Sequence, residues 1–202
     1  MAKYMFRPRK PPSQTWRTFL ENHVKEIVAI DFFTVPTVSF RVLFCFVVLR
    51  HERRKVVHFN VTASPTAEWT AQQFIEAFPY DEAPRFLIRD RDSIYAEFFK
   101  RRVNGMRIEE VVIAPRAPWQ NPYAERLIGS IRRECLDHAI ILNEEHLRRL
   151  VWEYLRYYHD DRCHLSLDRN APNERAVEPR GSGQVVSEPR VGGLHHRYRR
   201  VA

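Results

Sequence analysis

The sequence is poor in glycine and cysteine. Six of its 202 residues are glycine and three are cysteine. The glycines form neither a phosphate-binding loop nor a dinucleotide fingerprint, so we expect no nucleotide cofactor. The cysteines, Cys45, Cys135 and Cys163, are odd in number and lack the spacing of a disulfide framework. This usage argues against a disulfide-stabilised secreted domain and indicates a reducing, cytosolic environment.

Long apolar segments are also missing. The longest apolar run, at residues 42–49, is much too short to cross a bilayer and is typical of a buried strand. Residues 1–12 carry charge but no apolar segment, which predicts that they are not a secretion signal. With 44% hydrophobic and 29% charged residues, the composition is that of a globular protein long enough for one domain with a core.

Positive charge is concentrated at the two ends of the chain. The formal net charge is +8; residues 1–10 contribute +4 and residues 180–202 another +4, so the stretch between them is neutral. Such basic ends are typical of arms that lie along a polyanion such as nucleic acid, although solvated tails without a partner are an equally simple interpretation. We predict that residues 1–15 form a basic linker and that residues 179–202, rich in Gly, Ser, Pro and Arg, form a disordered tail.

The order of apolar patterns and helix breakers predicts an α/β fold. Strands are expected at 27–33, 41–49, 55–62, 85–89 and 107–114, and helices at 16–27, 64–78, 93–103, 121–138 and 143–159. Short connections between the first three strands favour an antiparallel meander. The alternation that follows favours a five-stranded mixed sheet with helices on both of its faces.

Three acidic residues occupy positions where functional side chains collect in such a fold. Asp31 and Asp90 end the first and fourth predicted strands, and Glu125 lies in the first turn of the helix after Asn121. Acids that meet repel one another unless cations lie among them, and Mg²⁺ prefers oxygen ligands. Two such ions support phosphoryl transfer. The alternative is that these are unrelated surface acids, which would be the better interpretation for any one of them alone.

The helix that carries Glu125 also carries arginines. Gly129, Arg132 and Arg133 fall near Glu125 at helical spacing, an arrangement suited to a metal beside a phosphate backbone. An exposed ladder of ion pairs explains the same pattern equally well. That ladder would join Arg126, Arg132 and Arg133 to Glu134 and Asp137.

Several segments resemble the integrase core of bacterial insertion-sequence transposases and retroviral integrases. The segments VAIDFF, FLIRDRDS and APWQNPYAERLIGSIRRECLDH follow one another in the family's order, and YYHDDRCHLSLDRNAPNERA resembles its closing segment. The resemblance covers about residues 16–178. It implies a ribonuclease H-like fold, whose element order agrees with the predicted one.

The resemblance also implies an activity, metal-dependent cleavage and strand transfer of double-stranded DNA by a transposase acting as a homo-oligomer. Asp31, Asp90 and Glu125 would be the catalytic residues and the ligands of two Mg²⁺ or Mn²⁺ ions. Asn121, Arg132 and Arg133 would contact DNA. Asp90 and Glu125 are separated by 34 residues, one fewer than in many relatives. A nuclease that only hydrolyses DNA and a non-catalytic DNA-binding remnant of a mobile element are the alternatives.

The sequence departs from the family's pattern in two ways. Relatives commonly have glycine two residues after the second aspartate, where this chain has Asp92. Because aspartate tolerates a left-handed backbone, we expect Asp92 to occupy a left-handed turn and to be structural. Complete transposases also carry an upstream helix-turn-helix region, and we expect this chain to be a truncated or split product that begins at the linker after it.

Overall fold

The computed structural model describes residues 14–79 and 82–201, so most of the predicted basic linker lies outside the described residues. Its helices and strands, in chain order, are α1 Trp16–Asn22, β1 Ile27–Pro36, β2 Val42–Arg50, β3 Lys55–Thr62, α2 Ala67–Glu76, β4 Phe86–Arg89, α3 Glu97–Gly105, β5 Glu109–Val112, α4 Pro122–Glu134, α5 Glu144–Asp160, β6 Gln184–Arg190 and β7 His195–Val201. In these ranges, no helix is long and apolar enough to cross a membrane.

The first five strands form one mixed sheet in the order β3-β2-β1-β4-β5. β1, β2 and β3 pair antiparallel, whereas β4 pairs parallel with β1 on one side and with β5 on the other. The predicted meander and mixed sheet are confirmed. Since β1 and β4 are parallel neighbours at the centre, their carboxyl ends meet at the same edge of the sheet.

Alternate residues of the central strands pack into two separate cores. Ile27 and Ala29 of β1 join a cluster with α1, α4 and α5, while Val28 and Ile30 join a cluster with α2 and α3. This period of two is what a sheet covered on both faces requires. Helices therefore lie on both faces, as the element order predicts.

Four of the predicted helices start or end differently. α1 ends at Asn22, so the predicted helix over 16–27 is too long. α2 begins at Ala67, where the Thr66 hydroxyl accepts a hydrogen bond from Trp69 N, so the predicted start at residue 64 is wrong. The predicted helix over 93–103 is broken, because Ala96 is extended between a 3₁₀ turn and α3. α4 ends at Glu134 rather than near residue 138, since Cys135 leaves the helical conformation.

The predicted disorder of the C-terminal tail is wrong for residues 184–201. β6 and β7 pair antiparallel from Gln184↔Val201 to Arg190↔His195. Gly192 and Gly193 have φ of 62° and 93°, left-handed values that glycine adopts without strain, and they allow the tight reversal between the strands. Composition favours disorder here, whereas the alternation of side chains along both strands favours a hairpin.

The β6–β7 hairpin is docked on the end of α5. Asp161, whose side chain is only 2% exposed, forms ion pairs with Arg190 at 2.8 Å and with Arg197 at 3.3 Å. The ring of His195 stacks on Tyr157 with a centroid separation of 4.3 Å. These contacts supply the partners that a short two-stranded hairpin lacks in isolation.

Candidate active site

Two of the three predicted site residues lie side by side at the carboxyl edge of the sheet. The parallel register of β1 and β4 pairs Ala29 with Ile88. Asp31 and Asp90 each follow that pair by two residues, so both carboxylates emerge at the same end of neighbouring central strands. Parallel pairing fixes this proximity because the two backbones rise together along the sheet.

The third residue, Glu125, comes from the first turn of α4, which packs across the same edge. A cavity of about 400 Å³ is lined by Asp31, Asp90 and Glu125 together. A neighbouring cavity of about 660 Å³ shares Asp31 and Glu125 and extends to Arg132. The structure therefore brings all three acids to one concave region.

The environment of Asp31 disfavours the ionised form of its carboxyl group. The pKa of its carboxyl is raised to about 7, mainly by burial and also by the charges of Glu125 and Asp90, against a hydrogen bond of 2.8 Å from Phe32 N that lowers it. Burial and like charges both disfavour the ionised carboxylate. A cation among the three acids would remove this penalty.

Asn121, at the entry to α4, holds Asp31 rather than capping its own helix. Its amide nitrogen donates to Ile30 O and to Asp31 Oδ2, both at 3.4 Å, and the side chain makes no cap hydrogen bond. The residue is only 2% exposed and its Oδ1 is buried without a partner in the described part of the chain. The predicted DNA contact by Asn121 would require this side chain to move, so the geometry favours a positioning role.

A buried ion pair next to Asp90 holds the backbone of that residue. The sequence pattern did not reveal this pair. Arg89 is buried, pairs with Glu110 of β5 and donates from Nη1 to Asp90 O at 2.8 Å. In the sequence Glu110 resembles ordinary edge polarity. Its role depends on β4 and β5 being parallel neighbours, which no local pattern reveals. This pair fixes the backbone that presents the Asp90 carboxylate.

Asp92 is a capping residue, and the predicted left-handed turn is wrong. Its φ is −57°, an ordinary value, and its carboxylate accepts a hydrogen bond of 2.9 Å from Ile94 N at the start of a 3₁₀ turn. Its own N–H donates to Asp90 Oδ1 at 3.0 Å. Aspartate replaces glycine here because its short carboxylate satisfies the turn, and the backbone needs no left-handed residue.

The arginines of α4 do not form the ladder of ion pairs considered above. Glu134 pairs with Arg162, beyond the end of α5, at 2.6 Å. Arg132 reaches back to β1, donating to Thr34 O at 3.1 Å beside the active-site cavity. Arg133 is exposed and lies over Gly129, where an added Cβ would be 3.0 Å from its Nη1. Arg132 and Arg133 therefore remain available for a phosphate backbone.

The donor set fits a hard divalent cation, although the side chains are not arranged as a finished site. In residues 14–79 and 82–201, no group of three His, Cys, Asp or Glu side chains is positioned to hold a metal ion. The three carboxylates nevertheless share a cavity. The ionised form of Asp31 is disfavoured there, as its raised pKa shows, and a bound cation would stabilise that form.

Comparison with known proteins agrees with this architecture. Residues 106–172 match the family model described as integrase core domain. The chain is 22% identical over 188 residues to an uncharacterised 39.2 kDa protein of insertion element IS476 from Xanthomonas euvesicatoria, covering 93% of this chain and 54% of that protein. A 31.7 kDa protein of insertion element IS407 from Burkholderia multivorans is 29% identical over 106 residues, covering 52% of this chain and 35% of that protein.

A solved structure shows the same fold. The catalytic domain of Mos1 transposase, determined with raltegravir and magnesium, aligns with a TM-score of 0.59 and 16% identity over 69% of this chain and 75% of that one. The chain spans about half of the IS476 protein and about a third of the IS407 protein. Residues 106–172 are thus similar to the integrase core domain, and the chain has the ribonuclease H-like fold of that transposase catalytic domain.

Proposed function

We propose that this chain is the catalytic domain of a transposase that cleaves DNA strands and joins them to a target. Asp31, Asp90 and Glu125 would hold two Mg²⁺ or Mn²⁺ ions. The observation that carries the proposal is the cavity that these three carboxylates line, at the meeting point of β1, β4 and α4. Its electrostatics, with Asp31 raised in pKa by burial and by the other two acids, support cation binding.

Divalent ions held by Asp31, Asp90 and Glu125 would supply the Lewis acidity that in-line attack of water or a DNA 3′-OH on a phosphodiester needs, at both the attacking and the leaving oxygen. The chain's own groups position the ligands. Asn121 holds Asp31 by a side-chain hydrogen bond, and the Arg89–Glu110 pair holds the backbone of Asp90. Glu125 is carried on α4, so its carboxylate reaches the cavity from the helix and not from the sheet.

The DNA would lie across the exposed face of α4. Arg132 lines the larger cavity next to Glu125, and Arg133 is exposed one residue further along the helix. Guanidinium groups bind phosphate in a bidentate manner, and binding through phosphates weakens steeply as salt is added. A homo-oligomer is proposed because strand transfer must bring two element ends together. The complete protein's activity is also a proposal, since the chain spans only part of its relatives.

A DNA-joining assay separates transposition from hydrolysis. Labelled duplex with a free 3′-OH is incubated with protein, Mn²⁺ and unlabelled plasmid. The proposal predicts labelled joined product in addition to nicks. Nicks without any joined product would favour a nuclease that only hydrolyses DNA, and binding without nicks would favour the non-catalytic remnant.

Asp92→Gly tests the distinction between the two neighbouring aspartates. Loss of the cap to Ile94 N is expected to lower the free energy of unfolding by only a few tenths of a kcal/mol, because glycine is tolerated at cap positions. Metal-dependent nicking is expected to persist, whereas Asp90→Asn is expected to abolish it. Urea unfolding and plasmid nicking measure the two effects. The assignment is wrong if Asp92→Gly is inactive and Asp90→Asn is active.

A further inference from the structure

A second cavity lies beside α4, on a different side of the helix from the carboxylates. Its volume is about 210 Å³. Tyr123, Arg126 and Ser130 of α4 line it, whereas Glu125 and Arg132 of the same helix line the active-site cavity. The other lining residues are Leu127 of α4, Tyr158 of α5, residues 162–166, which follow α5, and Arg54, between β2 and β3. We call it the basic cavity.

The walls of the basic cavity carry positive charge that is only partly compensated. Three guanidinium groups line it, those of Arg54, Arg126 and Arg162, and no carboxylate does. Arg162 is neutralised by Glu134, at 2.6 Å. Neither Arg54 nor Arg126 has an ion-pair partner among the salt bridges of the described residues. Two uncompensated cations facing one concave space repel each other, and an anion between them would remove that repulsion.

Arg54 is held in place before any ligand arrives. Its guanidinium lies 3.5 Å from the centroid of the Tyr123 ring and donates from Nη1 to His51 O. Its backbone is left-handed, with φ of 59°, a conformation that costs a non-glycine residue roughly 1 kcal/mol or more. Burial lowers the pKa of this guanidinium, and the nearby charge of Arg126 adds to that effect. A side chain that is held in one position by a strained backbone is typical of binding sites.

The remaining wall groups suit an oxyanion. Ser130 and Ser166 supply hydroxyl groups, which donate hydrogen bonds readily to phosphate oxygens. Burial lowers the pKa of His164, so this ring adds no charge at neutral pH. The combination of guanidinium and hydroxyl donors, with no acid to repel the ligand, matches a phosphate group.

We propose that the basic cavity binds one phosphate group of the DNA backbone, at a position set by α4 relative to the cleavage site. This proposal rests on the proposed function, because it takes DNA as the ligand. Arg126 follows Glu125 directly in the chain, so the basic cavity and the carboxylates are presented by adjacent residues of one rigid helix. A phosphate bound at Arg54 and Arg126 would fix the duplex relative to the three acids.

Cys163 gives a local readout of occupancy. It is exposed and lines the basic cavity, whereas Cys45 and Cys135 are buried. Burial raises the pKa of the Cys135 thiol to about 12 and that of Cys45 further, so N-ethylmaleimide, an uncharged reagent, should modify Cys163 alone. Mass spectrometry follows the labelling rate with and without a 5′-phosphorylated duplex, in EDTA so that no cleavage occurs.

The duplex is expected to slow labelling of the wild type about tenfold at a concentration about ten times its dissociation constant, because labelling needs the free site. Arg126→Gln is expected to lose most of this protection, and Arg126→Lys to retain part of it. Arg126 is exposed, so neither change threatens folding. Arg101→Gln removes the same charge from an exposed position on α3 that lines none of these cavities, and should keep full protection.

Equal protection in Arg126→Gln and Arg101→Gln would overturn the proposal, as would protection by inorganic phosphate but not by the duplex. These outcomes are independent of catalysis. Arginine-dependent protection without metal-dependent nicking would support the basic cavity and contradict the proposed function. If the wild type nicks DNA but the duplex never slows labelling of Cys163, the proposed function would be supported and the basic-cavity proposal contradicted.

Discussion

Asp31→Asn is expected to abolish metal-dependent DNA cleavage while making the metal-free protein more stable. The substitution removes a proposed metal ligand, so nicking should fall by more than about a hundredfold, the upper end of what loss of an outer-shell group costs. It also removes a buried negative charge that Glu125 and Asp90 repel. Opposite effects on activity and stability are typical of residues that serve a reaction at the expense of the fold.

The pH dependence gives this prediction a definite sign. In the folded protein, burial together with the charges of Glu125 and Asp90 raises the Asp31 pKa from 3.8 to about 7, so the native state binds a proton that the unfolded chain releases. Its contribution to stability is present below about pH 4 and is lost as pH rises toward about 7. Asp31→Asn should therefore match the wild type at low pH and exceed it by about 2 kcal/mol near neutral pH, after allowance for partial exposure.

Urea unfolding in EDTA at several pH values, with plasmid nicking in Mn²⁺, measures both effects. Asp137→Asn removes an exposed carboxylate from the 3₁₀ turn that follows α4 and serves as the control, with little change expected in either assay. Added Mn²⁺ should stabilise the wild type but not Asp31→Asn. A less stable Asp31→Asn in EDTA, or one that still nicks DNA, would contradict the electrostatic account.

Glu134→Gln is expected to be the most destabilising conservative change in α4. Its carboxylate accepts hydrogen bonds from Tyr154 Oη at 2.8 Å and from Arg162 Nε and Nη2 at 2.8 and 2.6 Å. Burial alone would raise its pKa, but the hydrogen bonds from Arg162 and Tyr154 prevail and lower it. Glutamine cannot accept all three bonds and leaves a partly buried arginine unpaired, which costs about 3 kcal/mol.

The loss should be visible as a lower midpoint of urea unfolding. Glu153→Gln, an exposed residue of α5, is the matched control and should shift the free energy of unfolding by less than about 0.5 kcal/mol. Because Glu134 ties α4 to the segment after α5, the variant should also place Glu125 less precisely. Equal stability of the two variants would show that the Glu134–Arg162 pair contributes nothing net.

The sheet and the meeting of Asp31 and Asp90 at its edge could be predicted because they depend on local patterns. Strand periodicity, short connections and the position of Asp31 and Asp90 after apolar runs are all properties of neighbouring residues. The partners of Arg89 and Glu134 could not be predicted this way. Glu110 is 21 residues from Arg89, and Arg162 is 28 residues from Glu134. These pairs exist only after the strands and helices have packed.

The C-terminal hairpin illustrates a second kind of limit. Its composition is typical of a flexible tail, and a two-stranded hairpin alone is only marginally stable. What orders it is the tertiary contact of Arg190 and Arg197 with the buried Asp161 and of His195 with Tyr157. Composition could not reveal these partners, because Asp161 and Tyr157 belong to a helix end more than twenty residues away.

The most direct test of the central claim compares Mn²⁺-dependent plasmid nicking by the wild type and by Glu125→Gln. The substitution preserves the size of the side chain at an exposed position of α4, so the fold should be unaffected. The account predicts nicking by the wild type that disappears in EDTA, and none by Glu125→Gln under any condition. Equal nicking by both proteins, or none by either, would contradict the assignment of Asp31, Asp90 and Glu125 as the catalytic carboxylates.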